Sequence, residues 1–271
     1  MKPRLFDYAR PDTVEEVLAL LAEYGDEARI LAGGQSLVPM LNLRLIDPQV
    51  LIDISRIAGL DAIRDCGDFI EIGAAVTQNT LMAWPDLAQK LPLLAAALPF
   101  VGHFQTRNKG TVCGSIAHAD PSSEIPLALA VTGGAVVLRN KSGERVLAAE
   151  AFQQDMLTTA RAPDELIAAV RFPVIEGKGA AFDEVARRHG DFAIVALAAI
   201  ADERGAVTLG VGGMAGRPMV RSIDGDVARA ISAWADELGG FEDLHASAAL
   251  RRDLLRNLGP RVVAEAIRCA A

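Results

Sequence analysis

Hydrophobic and polar positions follow two periods along this chain, and the places where one period gives way to the other divide it. Val14, Val17, Leu18, Leu20 and Leu21 repeat at helical spacing, so one face of a helix is apolar. Thr13 stands three residues before Glu16, a capping-box signature, and Gly25 supplies a C-cap. The apolar run 28–32 predicts a strand, which Gly33-Gly34-Gln35-Ser36 breaks. Segment 37–45 predicts a helix despite Pro39, and 50–54 a buried strand. Residues 13–54 therefore alternate helix, strand, helix, strand, the pattern of a small α/β unit with a parallel pair.

The pattern changes from residue 69. Residues 69–74 predict a strand, and 87–98 one apolar helix in which Pro92 is a potential early break. Residues 102–124 hold Gly, Ser, Thr, Asn and His without a long apolar run, and predict a polar loop of unusual length. A hairpin follows over 135–147, turning at 141–143, and then a strand over 165–172 ended by Pro173. Segment 174–179 reads as a linker and places the domain boundary. Beyond it, strands at 180–185, 193–201 and 206–211 predict a three-stranded antiparallel meander. Helices at 224–238, 243–257 and 260–270 close the chain, with Pro260 in the first turn of the last. The expected architecture is α+β: a first domain over 1–175, made of units 1–57 and 58–175, and a second over 176–271.

Composition narrows the function. With 51% hydrophobic and 23% charged residues, a chain of 271 residues has the means to bury a core. Lys and Arg number 27 against 35 Asp and Glu, so the net charge is −8 and the basic face of a nucleic-acid binder is not expected. Aromatics at 5% argue against stacking platforms for single strands. No apolar stretch reaches the roughly 20 residues of a membrane span. The N-terminus has no apolar core of a signal peptide, so a cytoplasmic location is expected. Cys66, Cys113 and Cys269 are scattered and form no Cys-x-x-Cys, as in a reducing compartment. Three thiols cannot ligate an iron–sulfur cluster that takes four, and the four histidines lack paired zinc spacing.

Two segments carry candidate chemistry. Ala32-Gly33-Gly34-Gln35-Ser36-Leu37 places two glycines between a strand and a helix start, where backbone N–H groups and the Ser36 hydroxyl face an anion. An ordinary strand-to-helix turn shares this pattern. The second segment runs from Gly110 and Thr111 through Cys113, Gly114 and Ser115 to Asp120 and Glu124. It offers a second set of amides, and two carboxylates able to accept from ribose hydroxyls. Two such loops suggest a ligand with two phosphates, held from both sides. Other patterns are weaker. The stretch 210–215 fits Gly-x-Gly-x-x-Ala, but Arg217-Pro218 follows where a helix should begin. Neither a P-loop nor a Gly-x-Ser-x-Gly motif occurs. Cys113 with His103 or His118 fits a nucleophile pair, though a small buried Cys is commoner. His118 and Asp120 would share a face if strand-bound, but two ligands do not make a metal site. Residues 187–192 concentrate charge, as a solvated turn or as a lid and partner contact.

Taken together, Ala-Gly-Gly-Gln-Ser at 32–36, the stretch 106–124 and Arg-Arg-His-Gly-Asp-Phe-Ala at 187–193 resemble the FAD-binding medium subunit of molybdenum hydroxylases. That family includes the carbon monoxide dehydrogenase medium chain, and the FAD domain of xanthine dehydrogenase is related. The resemblance spans the whole chain in order and spacing. It implies a vanillyl-alcohol-oxidase-type (PCMH-type) FAD-binding domain, then a small α/β C-terminal domain. It implies non-covalent FAD, with residues 32–36 and 111–115 at the pyrophosphate, Asp120 and Glu124 toward the ribose and adenine, and Ile167 near the flavin. Partners would be a large molybdenum-cofactor subunit and a small subunit with two [2Fe-2S] clusters, in a dimer of heterotrimers. Electrons would pass from those clusters through FAD to an external acceptor, with no catalytic acid or base on this chain. Cys113 stands where relatives often have glycine, which would be strained if the position needs positive φ. Asp183 stands where some relatives carry a basic residue. A stand-alone nucleotide-binding module and an independent flavin oxidase remain as alternatives.

Overall fold

A computed structural model describes residues 2–270. Strand β1 (Asp7–Ala9), helix α1 (Val14–Tyr24), β2 (Ala28–Leu31), α2 (Leu37–Leu43) and β3 (Val50–Asp53) make the first unit. Its sheet is parallel in the order β1-β3-β2, so the expected pair gains a third strand. The capping box is formed: the Glu16 amide donates to Thr13 Oγ1 at 3.2 Å, and the Thr13 amide to Glu16 Oε2 at 3.3 Å. Val17, Leu18 and Leu21 turn the apolar face of α1 into the core.

The middle of the chain runs β4 (Ile63–Asp65), β5 (Phe69–Gly73), α3 (Gln78–Met82), α4 (Leu87–Lys90), α5 (Pro92–Ala97), α6 (Phe104–Arg107), α7 (Val112–His118) and α8 (Glu124–Val131). It continues through β6 (Ala135–Asn140), β7 (Gly143–Ala148), α9 (Ala149–Phe152), β8 (Gln153–Asp155), β9 (Thr158–Thr159) and β10 (Leu166–Pro173). The main sheet has the order β4-β5-β10-β6-β7 and antiparallel neighbours. Two expectations change here. The apolar helix 87–98 is split at Leu91, because the proline that follows excludes helical backbone there (φ −129°, ψ 56°). The polar loop 102–124 contains two short helices, α6 and α7. Thr111 Oγ1 caps α7 by accepting from the Gly114 amide at 2.9 Å, and Val112, Cys113 and Ile116 are buried beneath it. Burial of those three stabilises a helix whose propensity alone is weak.

The last unit is a four-stranded antiparallel meander, β11 (Gly179–Ala186), β12 (Ala193–Ala201), β13 (Val207–Gly212) and β14 (Met219–Ile223), covered by α10 (Val227–Leu238) and α11 (Ala248–Ala270). The fourth strand was not expected. It is a short edge strand whose Met219, Arg221 and Ile223 lean inward while Val220 and Ser222 face out. Strand β12 is buried on both faces, which explains its unbroken apolar run. Ala196 and Ala198 join the core of the first two units, while Val195, Leu197 and Ala199 join a second core under α10 and α11. The second and third of the expected closing helices, 243–257 and 260–270, merge into α11. Asp243 Oδ1 accepts from the His245 and Ala246 amides in a turn, and Ser247 Oγ caps α11 at the Leu250 amide, 3.2 Å away. The helix then runs through Pro260, because Val262, Val263 and Ala266 beyond it are buried in the second core. Their burial outweighs a proline cost of about 3 kcal/mol.

Candidate functional site

The two glycine-rich segments, 76 positions apart from Gly34 to Gly110, converge at one point. At Gly33 a Cβ would lie 2.0 Å from the Lys109 carbonyl oxygen and 2.8 Å from Gly110 Cα, so only glycine lets the two loops touch. Gly34 has φ +70°, and Gln35 Nε2 donates to the Gly33 carbonyl at 3.1 Å, which pins the turn. From here α2 begins with the Val38 amide donating to Gly34 and the Met40 amide to Ser36. The amides of Gly34, Gln35, Ser36 and Leu37 have no protein acceptor among the described residues. On the opposing loop, the Val112 amide is used by the Val76 carbonyl and the Gly114 amide by Thr111, whereas the Cys113 amide is likewise without a protein acceptor. Both sets of N–H groups border one cavity of about 650 Å³, a size suited to a cofactor.

Ala32, Gly33, Gly34, Gln35, Ser36, Leu37, Gly110, Thr111, Cys113, Gly114, Ser115, Glu124 and Ile167 all line this cavity. Asp120 does not. Its Oδ1 accepts from the Ser122 amide at 2.8 Å and shapes the turn into α8. Cys113 sits inside α7 with ordinary helical backbone, so no strain arises from its replacing glycine. Its thiol faces the sheet, with Sγ 3.5 Å from the Ile72 carbonyl, and burial pushes its pKa far up, which leaves no nucleophile there. His118 and Asp120 flank Ala119, a left-handed helix end (φ +52°), rather than alternating on a strand. Burial lowers the pKa of His118, which favours the neutral ring. Among the described residues no three His, Cys, Asp or Glu side chains gather as a metal site, and no helix is long and apolar enough to cross a membrane.

Several cavity residues had no signal in the sequence. Gln78, on α3, is one. Arg161 is another: its guanidinium donates to the carbonyls of Ala162 at 3.0 Å and Glu165 at 2.7 Å. The loop 187–192 supplies Gly190, Asp191 and Phe192 to the wall. Gly190 has φ +85°, and a Cβ there would lie 2.8 Å from His103 Cε1, so this loop is pressed against residues 102–103. Burial raises the Glu124 carboxyl, in the wall, to about 7 and that of Glu184 on β11, outside the lining, to about 8, each pushed further by neighbouring acids. The arrangement therefore offers amide N–H groups for a diphosphate and, in Ile54, Ala74 and Ile167, an apolar surface for a flat ring.

Comparison with known proteins agrees with that geometry. Residues 4–175 match the family model described as the FAD binding domain in molybdopterin dehydrogenase. The chain is 39% identical to the 6-hydroxypseudooxynicotine dehydrogenase complex subunit alpha of Paenarthrobacter nicotinovorans, over 98% of this chain and 96% of that protein. It is 34% identical to the carbon monoxide dehydrogenase medium chain of Afipia carboxidovorans, over 88% of this chain and 80% of that one. The crystal structure of quinoline 2-oxidoreductase from Pseudomonas putida 86 superposes with a TM-score of 0.93 at 32% identity, covering 100% of this chain and 99% of the matched chain. On sequence, fold and cavity, this chain belongs to the family of FAD-binding domains of molybdopterin dehydrogenases, the medium subunits of molybdenum hydroxylases.

Proposed function

We propose that this chain carries FAD as the electron-transfer subunit of a molybdenum hydroxylase, receiving electrons from [2Fe-2S] clusters on a small partner and passing them to an external acceptor. The observation that carries this reading is the contact of Gly33 with Lys109 and Gly110, which brings the free amides of residues 34–37 and of Cys113 to one cavity. Residues 32–36 and 111–115 hold the pyrophosphate through the backbone. Glu124 lies toward the ribose, and Ile167 packs on the ring. Bound FAD supplies the redox chemistry. The chain orients it and keeps water from it with the loop 187–192. Hydroxylation belongs to a large molybdenum-cofactor partner, in keeping with relatives that are named as medium or alpha subunits. A dimer of three-subunit units is the assembly we favour. Two units, 1–175 and 176–271, meet along β12, whose two faces belong to different cores. The free thiols Cys66, Cys113 and Cys269 suit a reducing cytoplasm.

Absorption spectra before and after acid precipitation test the proposal. Flavin bands that pass into the supernatant, with FAD identified by chromatography, are the expected result. Bands retained in the pellet would mean covalent flavin and an independent oxidase. A chain that takes up no FAD, alone or with its partners, overturns the reading.

A further inference from the structure

Arg161 joins the cavity wall just before β10, and the chain pairs only part of its guanidinium. Nη1 donates to the carbonyls of Ala162 at 3.0 Å, Pro163 at 3.3 Å and Glu165 at 2.7 Å. These bonds hold the group on its own loop. Nε and Nη2 have no protein acceptor among the described residues, yet both are open to water. Burial pulls the pKa of this guanidinium below the usual arginine range, and the charge of Arg29 adds to the effect. A largely desolvated cation with two unused donors is costly unless a ligand meets it.

The position of Arg161 along the cavity selects the part of the ligand. Arg29 and Asp26, whose charges bear on Arg161, also line the cavity. They stand at the foot of β2, whereas the free amides of residues 34–37 stand past its end. A strand advances about 3.3 Å per residue, so Arg29 lies about 13 Å back from Gly33. The apolar surface suited to a flat ring includes Ile54, which is level with the end of β2: its amide donates to the Leu31 carbonyl at 3.0 Å. A diphosphate seated at the glycines thus has the flavin ring near the strand end. A separate stretch of wall, Ala28, Arg29 and Ile30 with Arg161, remains toward the foot of the strand. The part of FAD left for that stretch is the adenosine. Adenine has ring nitrogens that accept hydrogen bonds and an electron-rich face, and a planar guanidinium can meet both. We propose that Arg161 holds the adenine of FAD, with Nη1 kept on the backbone carbonyls and the Nε–Nη2 edge donating to a ring nitrogen. This inference rests on FAD occupying the cavity, and the experiment separates the two.

The full chain, alone or with the partner subunits it co-purifies with, is titrated with FAD and with riboflavin diphosphate ribose, the same molecule without its adenine. The wild type is expected to bind the base-free analogue at least about tenfold more weakly than FAD, the scale of one hydrogen bond from a charged group. Arg161→Met should weaken FAD binding about tenfold and leave binding of the analogue unchanged, so the preference for FAD shrinks by that factor. Arg161→Lys, which keeps a cation for the carbonyls, should show the same selective loss. Variants that bind FAD as tightly as the wild type, or that lose FAD and the analogue in equal measure, overturn the proposal while leaving the FAD reading intact. So does a wild type with no preference between the two. A wild type that binds neither overturns both readings.

Discussion

Arg251 and Gln78 are both buried polar side chains, and the chain surrounds them in opposite ways. Arg251, 1% exposed on α11, donates to the carbonyls of Ile194, Gly213 (2.8 Å) and Phe241 (3.1 Å) and pairs with Asp243 at 2.5 Å. It ties the helix to the ends of β12 and β13, and its guanidinium lies over Phe241, 4.2 Å from the ring centroid. Gln78 sits in an equally buried place with Oε1 unpaired, beside loops whose amides are also free. Arg251 finds its partners within the chain, whereas Gln78 Oε1 and the amides of residues 34–37 find none among the described residues. A buried polar group therefore signals function only when its partners are missing.

Replacing each kind of residue should break this contrast in a different currency. Arg251→Met leaves three carbonyls and Asp243 without their donor and should cost about 3–5 kcal/mol, read as a fall in the urea midpoint. A loss below about 1 kcal/mol would show that the guanidinium is replaceable packing. Gly33→Ala forces its Cβ onto the Lys109 carbonyl and parts the two loops. The expected cost is about 1–3 kcal/mol in stability, together with loss of FAD retention on gel filtration. Unchanged retention would show that the loop contact is not what shapes the site.

A third change sharpens the contrast through pH. The Glu124 and Glu184 carboxyls stand at about 7 and about 8, against an ordinary 4.5. The folded state then holds protons that the unfolded chain releases. Their contribution is full below about pH 4.5 and declines as pH rises through 7 and 8. Glu184→Gln should flatten that decline and stabilise the chain at pH 8 by on the order of 1–2 kcal/mol, measured by denaturation at pH 5 and 8. A decline as steep as that of the wild type would mean that other groups cause it. The smallest effect expected is that of Thr111→Val, which removes the cap on α7. It should cost about 1 kcal/mol and weaken FAD binding only modestly.

Much of the fold was legible because its signals are local. The capping box at Thr13 and Glu16, the end of α1 at Gly25, the hairpin around residues 141–143 and the strand 193–201 each depend on neighbours in sequence. The glycine motifs were legible too, since their spacing resembles a known family. Elements whose stability comes from elsewhere were not. Strand β14 exists because β13 offers an edge. The α7 helix exists because its apolar side chains are buried beneath it. Pro260 lies inside a helix because buried residues on both of its sides hold that helix to the sheet.

The sequence by itself determined the alternation of helices and strands in the first unit, the two glycine-rich segments and the family they resemble, because propensity, capping and motif spacing are properties of short stretches. Only the tertiary structure decided that Gly33 meets Lys109, that Asp120 turns away from the cavity while Glu124 faces it, and that Gln78 is buried with its oxygen unpaired. Each of those facts depends on which distant segment packs alongside, and burial by a distant segment leaves no mark on the residues next door in the chain.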